Sequence, residues 1–350
     1  MKAANEGEFN VASMMRNNIR EMKPYSSARD EFNGGAEIFL DANENSYAAH
    51  FNRYPDPLQL DLKKQISKLK NIAVENIFLG NGSDEAIDLV IRAFCEPNCD
   101  NIIVNEPTYG MYAVCANVNA VKVKSVSLTR KFDVDVMNVK NAIDVHTKII
   151  FLCSPNNPTG NLLDRDKIIS LLNEFSGLVV VDEAYIDFAE PTSFISQLDR
   201  YPNLVVLQTF SKAWGLAGLR LGMAFAAEEI IAVLNKIKFP YNINMLTMEY
   251  VQSAIEKQSS IRSWVDSILR ERKRLEQRLR SIPCVINVYP SDANFLLVKF
   301  EGAKTVYRSL ADTGVIVRDR SLVPLCDNCL RITVGTPSEN DRLINVLSLL

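Results

Sequence analysis

The sequence predicts an α/β protein: a large domain with a mostly parallel seven-stranded sheet between helices, joined to a smaller α+β domain. Three observations point there. Short β-rich runs alternate with helical spacing from about residue 77, several of those runs are apolar at every position, and the pattern changes after Pro240. Strands are expected at 77–79, 102–104, 121–126, 148–152, 178–181, 204–208 and 221–224. IIFL before Cys153 and LVVV before Asp182 have no polar face, as strands buried on both sides require. The stretches 84–94 and 164–175 have helical spacing and supply the covering layers. Beyond Pro240 a charged amphipathic helix runs to Pro283, and its basic run reads as a solvated face with Glu–Arg pairs one turn apart. Short strands return at 293–299, 315–317 and 330–334 around a helix at 304–312. The expected division is an N-terminal arm at 1–45, a large domain at 46–240 and a small domain at 241–350, with a ligand cleft between the two lobes.

Composition narrows the function. The chain has 350 residues, 47% of them hydrophobic and 23% charged, enough for one large or two medium globular domains. A net charge of −3 gives no global positive field to gather nucleic acid or an anionic membrane, so neither is expected as a partner. With only His50 and His146, a three-histidine zinc site is excluded and a histidine-centred triad disfavoured; no metal is expected. Seven scattered cysteines argue for reduced thiols and a cytoplasmic location, and the CxxC pair Cys326 and Cys329 has no second pair to complete a metal site. The N-terminus lacks an apolar core of signal-peptide length, and no run reaches the roughly 18 apolar residues of a membrane span.

The informative residues cluster where strands end, which is where ligands bind in open α/β sheets. The first strand runs into Gly82, Ser83 and Asp84, a turn opening onto a helix start whose N–H groups and dipole can hold an anion, or which merely caps the helix. The 148–152 strand leads into SPNNPTG, a proline-bounded turn presenting Asn157. The next strand delivers Asp182 and Tyr185. A carboxylate after four apolar residues calls for a cation, and without metal-ligand histidines an organic cation is the natural one. One βα unit later come Ser211, Lys212 and Arg220. Lys212, flanked by Phe210, Ala213 and Trp214, is a lysine whose poor solvation favours the nucleophilic amine, although a plain Lys–Asp ion pair accounts for the same two residues. Ser211 and Arg220 can both reach a phosphate. The set meets the demands of pyridoxal phosphate: a carboxylate for the ring nitrogen, a Schiff-base lysine and a held phosphate.

SPNNPTG, DEAYIDF and TFSKAWGLAGLRLG closely resemble the fold type I pyridoxal-phosphate aminotransferases. PYSSAR at 24–29, LDANEN at 40–45, RYPDP at 53–57, EPTYGMY at 106–112 and RITVGT at 331–336 narrow the resemblance to the branch of that family that takes histidinol phosphate. The resemblance implies pyridoxal 5'-phosphate as cofactor, with Lys212 as Schiff-base lysine and proton carrier and Asp182 on the pyridine nitrogen. It puts Asn157 and Tyr185 on the phenolic oxygen, Tyr109 stacked on the ring, and Gly82, Ser83, Asp84, Ser211 and Arg220 around the phosphate. Tyr54 matches a residue reaching the phosphate of the neighbouring subunit, which implies a homodimer. Arg331 is similar to the family's substrate anion-binding arginine, with Tyr25, Asn43 and Arg318 as further contributors; Arg318 reads equally as a surface arginine paired with Asp319. The implied reaction moves the amino group of L-histidinol phosphate to 2-oxoglutarate. An aromatic or broad-specificity amino-acid aminotransferase and a threonine-phosphate decarboxylase are the alternatives on the same scaffold.

Overall fold

A computed structural model describes residues 9–25, 38–47, 50–190 and 193–350. Seven strands, β1 (Ile77–Asn81), β2 (Asn101–Glu106), β3 (Lys122–Ser127), β4 (Thr147–Cys153), β5 (Leu178–Asp182), β6 (Leu204–Thr209) and β7 (Leu221–Ala226), form one sheet in the order β1-β7-β6-β5-β4-β2-β3. β2 pairs in parallel with β3 and β4, and β4, β5 and β6 continue the parallel run. β7 alone runs antiparallel, against both β1 and β6.

The continuous apolar runs have a direct cause. Alternate residues of each central strand enter two separate cores, Ile150, Leu152, Val179 and Val181 into one and Ile149, Phe151, Leu178 and Val180 into the other. Helices cover both faces, so every position is removed from water. The helix Ser83–Phe94 buries seven of its twelve residues against one face, while Arg165–Glu174, capped by the Asp164 carboxylate, packs on the other. Edge strand β3, read KVKSVS, keeps one buried residue, and its polar positions guard an open edge.

A second sheet, entirely antiparallel, has the order β10-β11-β9-β8: β8 (Val285–Val288), β9 (Phe295–Phe300), β10 (Arg318–Asp319) and β11 (Cys329–Thr333). The helices Gln258–Arg280, Ala303–Asp312 and Pro337–Leu347 close a third core over it. On the long helix Arg274 pairs with Glu271 and Arg280 with Glu276, as the charge pattern indicated. Two expectations are corrected. The strand expected at 315–317 lies one step later, because the Val315 N–H is spent on the Leu310 carbonyl at the end of the preceding helix; Arg318 and Asp319 pair with β11 instead. β8 was not foreseen: of VINV only Val288 is buried, so its letters carry little strand signal. Cys326 and Cys329, the latter on β11, are buried free thiols in a core that residues of both sheets share. Among the described residues no helix is long and apolar enough to cross a membrane.

Candidate active site

At the carboxyl ends of β1, β4, β5 and β6 lies a cavity of about 390 Å³, bounded on its far side by the small sheet. Gly82, Ser83, Asp84, Tyr109, Asn157, Asp182, Tyr185, Ser211, Lys212, Arg220, Arg318 and Arg331, each expected at the site, all line it. A larger cavity of about 870 Å³ holds none of them and contains the ion pair Lys70–Asp187 at 3.6 Å.

One end is built for an anion. β1 runs into Gly82, whose φ of 76° suits glycine, and a Cβ there would lie 2.6 Å from the Arg220 guanidinium. Gly222, just inside β7, is equally constrained, since a Cβ would meet the Ser83 amide at 2.0 Å. These contacts bring the N-terminus of the helix Ser83–Phe94 and Arg220 to one place, with Ser211 beside them. The two acidic residues of the first helical turn separate: Glu85 accepts from the Asn81 amide and from Asn242, outside the cavity, while Asp84 faces it. There Asp84 takes the Arg220 guanidinium at 3.2 Å and the Tyr109 hydroxyl at 3.0 Å, so an incoming phosphate has to share Arg220 with a carboxylate already present.

The centre holds a buried carboxylate. Asp182, 3% exposed, accepts from the Tyr112 hydroxyl at 2.6 Å and from the Ala184 amide at 3.0 Å. Burial pushes its pKa above the usual carboxylate range and these donors pull it back. Among the described residues it has donors but no ion-pair partner, so the plain Lys212–Asp182 ion pair does not form. Tyr112 is fully buried, stacked on Phe151 at 4.7 Å, and its contact with Asp182 was not anticipated: in sequence it reads as a helix-interior aromatic. Lys212 opens onto the cavity, with Nζ 5.5 Å from the centre of the Tyr185 ring. Although the side chain is exposed to the cavity, the walls around its amine desolvate it and lower its pKa, helped by repulsion from Arg331. The Tyr185 phenol, pushed up mainly by burial, accepts weakly from Asn157 at 3.5 Å.

Asn157 also joins the two sheets, its side-chain oxygen accepting from Arg331 Nη1 at 2.5 Å. Arg331 stands on β11 opposite Arg318 on β10, and Arg320 completes a trio that sequence reading reduced to two. The Arg320 Nε is buried without a hydrogen-bond partner. Burial, and for each the repulsion of neighbouring arginines, lower the pKa of Arg320 and Arg331. Asp319 is turned away, accepting from the Ser321 amide.

Three expected residues are not brought here within one chain. Tyr25 is exposed, while Tyr54 and Asn43 line a separate groove where Tyr54 stacks on Tyr241 at 4.5 Å. Part of the PYSSAR motif, residues 26–29, lies outside the described residues.

Comparison with known proteins identifies the family. Residues 36–347 match the family model described as aminotransferase class I and II. The chain belongs to this family. A histidinol-phosphate aminotransferase of Cytophaga hutchinsonii is 56% identical over 97% of this chain and 99% of its own. Among solved structures, the histidinol-phosphate aminotransferase of Clostridium acetobutylicum superposes with a TM-score of 0.79 at 26% identity, covering 85% of this chain and 90% of that one. That of Sinorhizobium meliloti, in complex with pyridoxal-5'-phosphate, gives 0.78 at 22% identity over 88% and 89%, a likeness of fold. The family's fold type I architecture is the one described above.

Proposed function

We propose that the chain transfers the amino group of L-histidinol phosphate to 2-oxoglutarate, giving imidazole acetol phosphate and glutamate in histidine biosynthesis, with pyridoxal 5'-phosphate as cofactor. The observation that carries this reading is the joining, in one cavity, of a buried carboxylate and a desolvated lysine to three arginines from the small sheet. The name of the relative that is 56% identical supports it.

The residues fit the cofactor. A carboxylate buried without a cation suits a protonated pyridine nitrogen, and the helix N-terminus with Ser211 and Arg220 suits its phosphate. Asn157 and Tyr185 would bind the phenolic oxygen and Tyr109 would stack on the ring. The bound cofactor supplies an electron sink for negative charge developing at the substrate's amino-bearing carbon. Lys212 sheds its proton more readily than an ordinary lysine, so its neutral Nζ would be the group to hold the cofactor aldehyde and, when free of it, to take the proton from the substrate carbon. Arg331, with Arg318 and Arg320, receives the anionic end of either substrate, because a guanidinium fork accepts phosphate and carboxylate alike.

We also read the chain as a cytoplasmic homodimer, divided near residue 240, in which Tyr54 reaches the partner's cofactor phosphate. Half-exposed Tyr54 stacks outside its own cavity beside exposed Phe51 and Leu246, which supports this. Nucleic acid and membrane have no part in it.

Titrating the cofactor-loaded protein with histidinol phosphate, then 2-oxoglutarate, tests the reaction: the visible spectrum should cycle, with phenylalanine and aspartate slower. Carbon dioxide released from threonine phosphate without an oxo acid would overturn the reading in favour of a lyase. Arg331→Ala should raise the apparent KM for histidinol phosphate about 30- to 100-fold, the worth of a desolvated charge-assisted contact; an unchanged KM removes Arg331 from the site. Tyr112→Phe keeps the buried volume and deletes one donor to a charged oxygen, so kcat should fall about tenfold. Loss of that donor raises the pKa of Asp182, and the acid limb of the rate profile should move to higher pH.

A further inference from the structure

The two histidines and the one exposed cysteine have no part in the reaction above, yet one of each meets at the opposite edge of the sheet. Cys99 and Asp100 form the turn entering β2, and His146 the turn entering β4. Their donor atoms converge within 4.8 Å of one another, the one such trio of histidine, cysteine and carboxylate side chains among the described residues. His146 Nδ1 lies 3.5 Å from Cys99 Sγ and 3.9 Å from Asp100 Oδ1. A tetrahedral zinc, with bonds of about 2.3 Å to sulfur and 2.0 Å to nitrogen or oxygen, separates its ligand atoms by roughly 3.3–3.6 Å. The trio therefore needs only small side-chain adjustments to reach that spacing.

The backbone beneath is fixed in the way a binding site needs. The Asn101 amide donates to the His146 carbonyl at 2.9 Å, tying the two turns together. Asp100 is 6% exposed and directs Oδ2 to the Glu96 amide at 2.7 Å, which leaves Oδ1 toward the imidazole. The His146 amide is held by Asp144 at 3.0 Å. Cys99 and His146 are exposed, so an ion can enter and a water can fill a fourth position. Thiolate, imidazole and carboxylate together favour zinc or cobalt(II) over magnesium or calcium.

We propose that Cys99, Asp100 and His146 form a surface zinc site, separate from the catalytic cavity and about 20 Å from it along the seven residues of β4. Binding displaces the Cys99 thiol proton to solvent and forms the sulfur–metal bond in its place, so affinity rises with pH.

Thiol chemistry tests the proposal, because Cys99 is the single exposed cysteine of the seven. One equivalent of Zn²⁺ added to the cofactor-loaded protein should slow alkylation of Cys99 at least tenfold. Cobalt(II) should give a thiolate charge-transfer band, and both Cys99→Ser and His146→Ala should remove it. Competition against a chromophoric zinc indicator should show at least about tenfold weaker binding in each variant, in line with the sensitivity of metal affinity to ligand surroundings, with transamination unaltered. Unchanged alkylation with zinc, or equal affinity in the variants, overturns the site and reduces the Cys99–His146 contact to a thiol–imidazole hydrogen bond.

Discussion

Lys212→Ala is expected to lower kcat by at least about 10³-fold, because on the proposed reading one side chain would both anchor the cofactor aldehyde and move the proton, and general acid–base catalysis alone contributes about 10² to 10⁴. Cofactor should still bind through the Gly82, Ser83, Ser211 and Arg220 end of the cavity, which the substitution leaves intact. Borohydride should fix the cofactor to the wild-type chain and not to the variant, as intact-mass measurement would read directly. A variant retaining a tenth of wild-type turnover would remove Lys212 from the chemistry. The same residue makes a stability prediction for the cofactor-free protein. The folded chain releases the Lys212 proton below the ordinary value of 10.5, whereas the unfolded chain holds it to about that pH. Wild-type stability therefore rises with pH between the lowered value and 10.5, and Lys212→Met should flatten that rise in denaturant titrations.

Asp182→Asn should have the second largest effect, a loss of about 10² to 10³ in kcat, the range found when a preorganised electrostatic group is removed from a desolvated site. The amide keeps the shape of the carboxylate; with its one oxygen accepting from the Ala184 amide, its NH2 can donate to the Tyr112 hydroxyl oxygen, so the fold should hold while the negative charge is lost. Single-turnover rates with histidinol phosphate isolate this step from product release. A rate within threefold of wild type would mean that the carboxylate serves packing alone. Asp182→Ala is the harsher variant, since it strands the buried Tyr112 hydroxyl.

The large sheet was legible because β4 and β5 are buried on both faces, a condition that writes itself as unbroken IIFL and LVVV. The strand ends were legible because polar residues after such runs have few structural excuses. What escaped was decided by contacts remote in sequence. The pairing of β10 depends on β11, a dozen residues on, and Val315 was diverted by a helix end. Tyr112 shows its role only where its helix meets Asp182, 70 residues away. Arg320 is an ordinary arginine until the hairpin sets it beside Arg331. The Cys99–His146 meeting crosses 47 residues and leaves no local motif.

The reversal of β7 has a wider meaning. By running back against β6, it puts Lys212 and Arg220 on one covalent hairpin whose register, Thr209 facing Gly222, would keep both ends of the proposed coenzyme berth together. The arginines proposed to meet the second reactant come from the other sheet, across the Arg331–Asn157 contact. Descendants of such a scaffold can thus exchange one clientele for another by editing β10 and β11, while the coenzyme's moorings stay untouched.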